Sequence, residues 1–259
     1  MSSKITIIGT GNVAWHLAQG LEKGGHVINE LYGRSLEKVT EIADSLYSAK
    51  VTGQLDFANS SSDIFILAVS DGAISSIASE IVLPDHATIV HTSGTVPLAA
   101  LEFAAADHYG VLYPLQSFTR KVPLKLDEVP FFIEGSDLET ENRLRDLAGD
   151  ISNQVYLADS EKRSFLHLAA VYVSNFTNHL LTLGKELAEL NQLDFEMLKP
   201  LINETIDKAL KMGPKDSQTG PAMREDYTTI EKHLELLSEQ EEYQKIYRIL
   251  SQSIIDRKY

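Results

Sequence analysis

The chain has 259 residues, 43% of them hydrophobic and 23% charged, with no cysteine and a formal net charge of -14. That length and balance suit one large or two modest globular domains and exclude a disordered chain. So acidic a surface repels nucleic acid and anionic membrane, the lack of cysteine removes disulfides and thiolate metal sites, and the histidines show no ligand spacing of the H-E-x-x-H kind, so no metal is expected.

The N-terminal apolar run in "MSSKITIIGTG" is far too short for a signal-peptide core or a membrane span, and the longest later one, "FLHLAAVYVSNF", is broken by His167, Ser174 and Asn175. A cytoplasmic protein is expected. "KITIIG" predicts a short strand ending in glycine, and "NVAWHLAQGLEKG" a helix with Val13, Leu17 and Leu21 on one face. "HVINELYG" and "SLEKVTEIADSL" repeat the strand–helix unit. "SAKVTG" is a weak third strand. "DIFILAV" is a continuous apolar run, as for a strand buried on both faces of a parallel sheet. "DGAISSIASEI" is its helix, "ATIVHTSG", "HYGVLYP" and "PFFIEG" are further strands, and helical pattern returns at "DLETENRLRDLAGDI" before "NQVYLA". Such alternation predicts an α/β fold, a doubly wound Rossmann-type sheet over residues 1–158.

From Asp159 the strand pattern stops, and an all-α helical domain is expected over residues 159–259. "DSEKRSFLHLAAVYVSNFTNHLLTLGKELAELN" reads as one long helix of about 30 residues. "DFEMLKPLINETIDKALKMG" is a second, with Pro200 a kink or a restart. "TGPAMREDYTTIEKHL" begins the next, with Pro221 at the first helical position, and "SEQEEYQKIYRILSQSIIDRK" closes the chain. In that last segment Tyr243, Ile246, Tyr247 and Leu250 share a face that suits an interface or an ordinary core.

Between the first strand and helix, "IIGTGNVA" gives G-x-G-x-x-A through Gly9, Gly11 and Ala14. In this context the pattern points to a dinucleotide. Gly9 permits the tight turn, Gly11 lets backbone approach a pyrophosphate, and Ala14 lets helix and strand pack closely. The turn Gly9, Thr10, Gly11, Asn12 and Val13 then faces the diphosphate with helix N-terminal N–H groups. Where an NAD site carries an acid to hold the ribose, the second strand here ends "LYGRS". Glu30 falls too early, and Arg34 with Ser35 stands where a 2′-phosphate would lie, so NADP(H) is expected.

Ligands of such sheets lie beyond the carboxyl ends of the strands. Val69 and Ser70 in "AVSDGAI" would line the cofactor, while Asp71 reads as a helix cap. Ser93 and Gly94 in "HTSGTVPL" would approach the nicotinamide edge or simply form a turn. Gln116 in "YPLQSF" reads as a ligand-facing loop residue. On the long helix, His167, Ser174, Asn175, Asn178 and Thr182 form a polar stripe within roughly 100° of one another, on a helix otherwise apolar enough to be buried. Buried polar groups need partners, and His167 is the member that exchanges a proton near neutral pH. It reads either as a satisfied core histidine or as a catalyst.

Together "IIGTGNVA", "YGRS", "AVSDGAI", "HTSG", "YPLQSF", "HLAAVYVSNF" and "TGPAMREDYTTIEKHL" resemble the family that joins a Rossmann-like NADP-binding domain to a helical domain of unknown function. That family is similar in plan to pyrroline-5-carboxylate reductases, deazaflavin-dependent NADP oxidoreductases and the 6-phosphogluconate and β-hydroxyacid dehydrogenases. The resemblance implies a helical domain that mediates homodimerisation and an active site in the cleft between domains. The β-hydroxyacid dehydrogenases carry a catalytic Lys four residues before an Asn; here Val171 stands at that spacing from Asn175. The expectation is an NADP(H)-dependent oxidoreductase acting on a small C=O or C=N substrate. His167 is the acid, Asn175 orients, Ser93 sits at the reacting centre, and Gln116, Arg224 and Asp226 contact substrate. Arg224 would clamp a carboxylate, on a loop and helix start brought to the cleft. The alternative is an NADP(H)-binding sensor without turnover.

Overall fold

The computed structural model of the chain describes residues 2–257 and divides it into two compact units, Met1–Ser174 and Asn175–Tyr259. The first contains one eight-stranded sheet in the order β3-β2-β1-β4-β5-β6-β7-β8. Its strands are β1 (Lys4–Ile8), β2 (Val27–Tyr32), β3 (Lys50–Thr52), β4 (Ile64–Leu67), β5 (Thr88–His91), β6 (His108–Pro114), β7 (Phe131–Gly135) and β8 (Val155–Leu157). All neighbours are parallel except β6 and β7, which run antiparallel. Helices α1 (Asn12–Lys23), α2 (Leu36–Ala43), α3 (Asp71–Glu80) and α4 (Leu138–Gly149) connect or cover the strands. The fold is the expected Rossmann-type sheet with a C-terminal helical region.

The period-two geometry of a strand divides the apolar runs between two cores. Ile5 and Ile7 of β1 join Ile64 and Ile66 of β4 on the face that α1 covers, with Leu17 and Leu21. Ile8, Phe65 and Leu67 point the other way, onto Ile74 and Ala78 of α3. Every residue of β4 and β5 is buried. The sheet order reverses between β1 and β4, so the loops after these two strands diverge and leave a crevice at the carboxyl edge.

The expected long helix is interrupted. α5 (Ser160–Ala170) passes into a π-helical segment, Val171–Phe176, before α6 (Thr177–Leu190). The β-branched residues and the Ser174–Asn175 pair in "VYVSNF" weaken the α-helical pattern there. Compactness groups α5 with the sheet, and the boundary between units falls inside the π segment. The stretch is also not buried as its composition predicts: Phe165 is 66% exposed and Val173 is 75% exposed. A helix apolar all round needs cover on every side, and the described part of this chain does not supply it.

In the second unit α6 is followed by a short 3-10 turn, Phe195–Leu198, then α7 (Lys199–Met212), α8 (Tyr227–Leu236) and α9 (Glu241–Arg257). Pro200 lies in the first turn of α7, where its missing N–H costs nothing, so the chain restarts there. Among the described residues no helix is long and apolar enough to cross a membrane.

Candidate active site

The crevice is a cleft of about 830 Å³ lined by the turn after β1, the end of β2, the start of α2 and the loop after β4. Gly9 has φ +133°, and a Cβ there would stand 2.0 Å from the Ala68 carbonyl oxygen, so only glycine fits. Its N–H donates to the Tyr32 carbonyl at 2.8 Å and ties the turn to β2. A Cβ at Gly11 would meet nothing within 4 Å, so the backbone at the start of α1 faces open space. Of the residues expected to hold the cofactor, Gly9, Thr10, Gly11, Asn12, Val13, Arg34, Ser35, Val69 and Ser70 all line this one cleft, and so does Gln116. Ser93 and Gly94 do not; Thr92 is the nearest lining residue on their loop.

Arg34 makes no ion pair among the described residues, and Lys38, one helical turn on, also lines the cleft unpaired. Lys38 escaped the sequence reading because it looks like any solvated lysine; only its position one turn into α2 distinguishes it. Glu30 lies mid-strand as expected and accepts from Thr6 Oγ1 at 3.2 Å, away from the ribose position. The loop after β6 clamps the turn: Asn12 Nδ2 donates to the Phe118 carbonyl at 2.9 Å, His16 Nε2 to that of Thr119 at 3.0 Å, and Arg120 to that of Thr10. Asp71 is not the expected cap. It sits at the first position of α3 and accepts from Thr95 Oγ1 at 2.6 Å, joining the loops after β4 and β5.

Beyond Thr92 the loop after β5 meets α5. Ser93 is buried, and its Oγ accepts from the N–H groups of Thr95 and Val96 at 3.1 and 3.0 Å. Gly94 lies against two side chains: a Cβ there would come within 2.7 Å of Tyr113 Cζ and 2.8 Å of His167 Nδ1. Those two rings form a pair, with Tyr113 Oη 3.1 Å from His167 Nδ1. Burial pushes the Tyr113 phenol up to about 12, so it keeps its proton at neutral pH. At the end of β5, His91 is fully buried. Burial first, and the Arg163 guanidinium second, hold its imidazole down at about 4, so it is neutral. Its Nδ1 accepts from the Ser93 N–H at 3.1 Å.

The guanidinium of Arg163 fixes this corner. It is fully buried, pairs with Glu134 of β7, and donates to the carbonyls of Ser93 at 3.2 Å and Val96 at 2.6 Å. Ser160 Oγ donates to Glu134 at 2.9 Å and accepts from the Leu98 N–H at 3.0 Å. Tyr113 and Arg163 were both missing from the sequence reading. The one available signal was spacing: Arg163 precedes His167 by one helical turn and so shares its face.

The remaining expected residues belong to the second unit. Asn175 is exposed in the π segment. Pro221 does not open a helix. It lies in a run of turns closed by Asp226 N–H to the Pro221 carbonyl at 2.9 Å, and Glu225 adopts a left-handed φ of 55°, which stops α-helix there. The helix begins at Tyr227 with Asp226 as its cap, accepting from the Thr229 N–H at 3.1 Å and Oγ1 at 2.7 Å. Those bonds hold the Asp226 carboxyl below its usual range. His233 braces helices: its Nδ1 is 2.8 Å from Tyr247 Oη, joining α8 to α9. Arg224 is exposed and in no ion pair among the described residues.

A crevice at the switch of a parallel sheet, a glycine turn at a helix start and cations beyond the second strand define a dinucleotide-dependent oxidoreductase of the Rossmann type. Comparison with known proteins agrees. Residues 4–93 match the family described as NADP oxidoreductase, coenzyme F420-dependent, and residues 129–254 match a domain of unknown function, DUF2520. A crystal structure from Bacteroides fragilis, named as an NADP oxidoreductase, is 39% identical, with 98% of each chain covered and a TM-score of 0.91. The chain belongs to this family of NADP-dependent oxidoreductases that carry a DUF2520 domain. Two more distant structures share the fold. A pyrroline-5-carboxylate reductase from Coxiella burnetii is 18% identical over 100% of this chain and 98% of its own, with TM-score 0.61. A reductive aminase from Aspergillus terreus, in complex with NADPH and ethyl-5-oxohexanoate, is 14% identical over 99% and 93%, with TM-score 0.74. No functionally curated protein matches the chain in sequence.

Proposed function

We propose that the protein moves a hydride between NADP(H) and a small C=O or C=N compound, with substrate beside Tyr113 and His167. One observation carries this reading: a single cleft is lined by the glycine turn, by Arg34 and Lys38, which make no ion pair among the described residues, and by Thr92, two residues before the Gly94 that lies against the Tyr113–His167 pair. The N–H groups of Gly11, Asn12 and Val13 suit a diphosphate, and Arg34, Ser35 and Lys38 suit a 2′-phosphate. The cofactor supplies the hydride. The chain supplies position and a proton. Charge that develops on the substrate oxygen or nitrogen is neutralised from the Tyr113–His167 pair, with His167 as the exchangeable acid and Tyr113 as its neutral partner. Ser93 and Gly94 meet the nicotinamide edge, Asn175 orients, Gln116 offers a neutral amide to substrate, and Arg224, exposed and in no ion pair among the described residues, is the candidate for a substrate carboxylate. Asp226 is better explained by its cap. We read the enzyme as a cytoplasmic homodimer. Apolar side chains left exposed on α5, α6 and α7, such as Leu168, Leu180 and Leu201, are the surface a second copy would cover.

The test has two arms. Arg34→Ala should weaken NADPH by about 10- to 100-fold, the worth of a charge-assisted contact, and leave NADH unchanged; equal losses would refute the 2′-phosphate assignment. NADPH oxidation is then followed across ketones, keto acids and cyclic imines. Tight binding with no turnover on any of them would refute the reductase reading.

A further inference from the structure

A second cavity, of about 540 Å³, lies along α1 toward its C-terminal end and shares no lining residue with the cofactor cleft. One wall is α1, with Trp15 and Lys23; the other is the loop after β6, with Arg120, Lys121 and Lys125. In the whole chain acids outnumber Lys and Arg by 37 to 23. In this wall four Lys or Arg face two acids, Asp127 and Asp150, so the local sign is reversed. Asp150 lies 3.3 Å from His26 Nε2, but burial favours the neutral imidazole there, so this carboxylate keeps its negative charge. Lys23 and Lys121 have no ion-pair partner among the described residues, and Lys125 reaches Glu128 only at 3.9 Å. The helix end itself does not repel an anion strongly, because its last carbonyls are taken: Gly24, Gly25 and His26 N–H donate to those of Gly20, Glu22 and Leu21. Arg120 lies 5.2 Å from the Trp15 ring and gives the cavity a flat cationic–aromatic side. Its other N–H groups hold Glu41 at 2.9 Å and the Thr10 carbonyl of the phosphate turn.

We propose that this cavity is a second ligand site, for a small multiply charged oxyanion, phosphate or carboxylate, held by Lys23, Lys121 and Lys125 against the Trp15–Arg120 pair. The proposal stands apart from the cofactor reading. In a chain that is acidic overall, cations lining a concave surface focus a positive field there and raise the local concentration of anions.

Trp15 is the chain's single tryptophan, so its emission reports on this cavity. The full-length protein is titrated with sodium pyrophosphate and, separately, with sodium citrate, ionic strength being held constant with sodium chloride. A saturable change is expected with at least one of them. Lys23→Gln/Lys121→Gln, two exposed positions, should weaken it at least about tenfold, while Arg34→Ala/Lys38→Ala should retain it. Saturation by pyrophosphate alone assigns a phosphorylated ligand, by citrate alone a polycarboxylate, and by both a site that reads charge. The proposal is overturned if neither saturates, or if Arg34→Ala/Lys38→Ala removes the signal and Lys23→Gln/Lys121→Gln does not.

Discussion

One added methyl group at Gly94 tests the proposed role of the Tyr113–His167 pair. A Cβ built there stands 2.7 Å from Tyr113 Cζ, 3.0 Å from Tyr113 Cε2 and 2.8 Å from His167 Nδ1. Non-bonded carbons prefer about 3.5–4.0 Å, so both rings would have to withdraw by roughly 1 Å. Tyr113 is 8% exposed and backed by Phe132, with ring centroids 6.4 Å apart, so it has little room. His167 is only half-buried and must give way, which breaks its contact with Tyr113 Oη. The backbone itself accepts alanine, because Gly94 does not sit at positive φ. Overpacking of this kind costs about 1–3 kcal/mol, and the displaced pair should lower kcat on the order of 100-fold. Urea denaturation gives the first quantity and steady-state NADPH oxidation the second. A double-mutant cycle identifies the cause. In a His167→Ala background the cost of Gly94→Ala should fall by about 1 kcal/mol. In a Tyr113→Phe background it should not fall, because the clashing ring carbons remain. An alanine tolerated within about 0.5 kcal/mol, or equal costs in both backgrounds, would refute the packing argument.

Two further outcomes follow from the same geometry. The folded state holds the His91 imidazole at about 4, against an ordinary 6.5 when unfolded, so between those values the unfolded chain binds the extra proton and stability is lost as pH falls. The loss from this residue should reach about 2 kcal/mol at pH 5 and about 3 kcal/mol at pH 4. Denaturation of wild type and His91→Gln across that range should show a shallower acid limb in the variant, and parallel curves would rule His91 out. Asp226→Asn keeps a good cap, so KM should change by no more than about twofold, whereas Asp226→Ala frays α8; a large rise in KM for the asparagine variant with unchanged helicity would return Asp226 to the substrate list.

The sheet was legible because its signals are local. Runs such as "IFIL" and "TIVH" are buried on both faces wherever a parallel sheet places them, and the glycine turn carries its function in its own backbone. Two features were not legible because they depend on what other segments do. That β7 pairs antiparallel with β6 follows from how residues 115–130 return across the edge of the sheet, which no periodicity encodes. The burial expected of "FLHLAAVYVSNF" presumed a cover that the described chain does not provide. Among the candidate site residues, the position of Arg34 in the cleft was readable from its place after the second strand. Tyr113 was not, since a tyrosine in "HYGVLYP" looks like any strand residue until the loop after β5 and helix α5 meet it. The start of α8 was misplaced for a local reason that sequence hides: Glu225 takes a left-handed conformation that the more familiar Gly-Pro signal gave no cause to expect.

The Arg163–Glu134 pair shows why the site needs more than stability. A buried ion pair rarely stabilises a fold relative to well-packed apolar side chains, and removing one partner costs about 3–5 kcal/mol because the other is left uncompensated. Arg163→Met alone should therefore destabilise strongly, Glu134 being 16% exposed. Arg163→Met/Glu134→Leu should recover most of that loss. What the double variant cannot recover is direction. Arg163 sits one turn before His167, and its bonds to the carbonyls of Ser93 and Val96 fix the rotation of α5 against the loop that carries Gly94. An apolar pair fills the space without setting that angle. The expected result is near-native stability with turnover still lowered by at least about tenfold. If the double variant regains turnover along with stability, the ion pair is a packing feature only and the positioning argument fails.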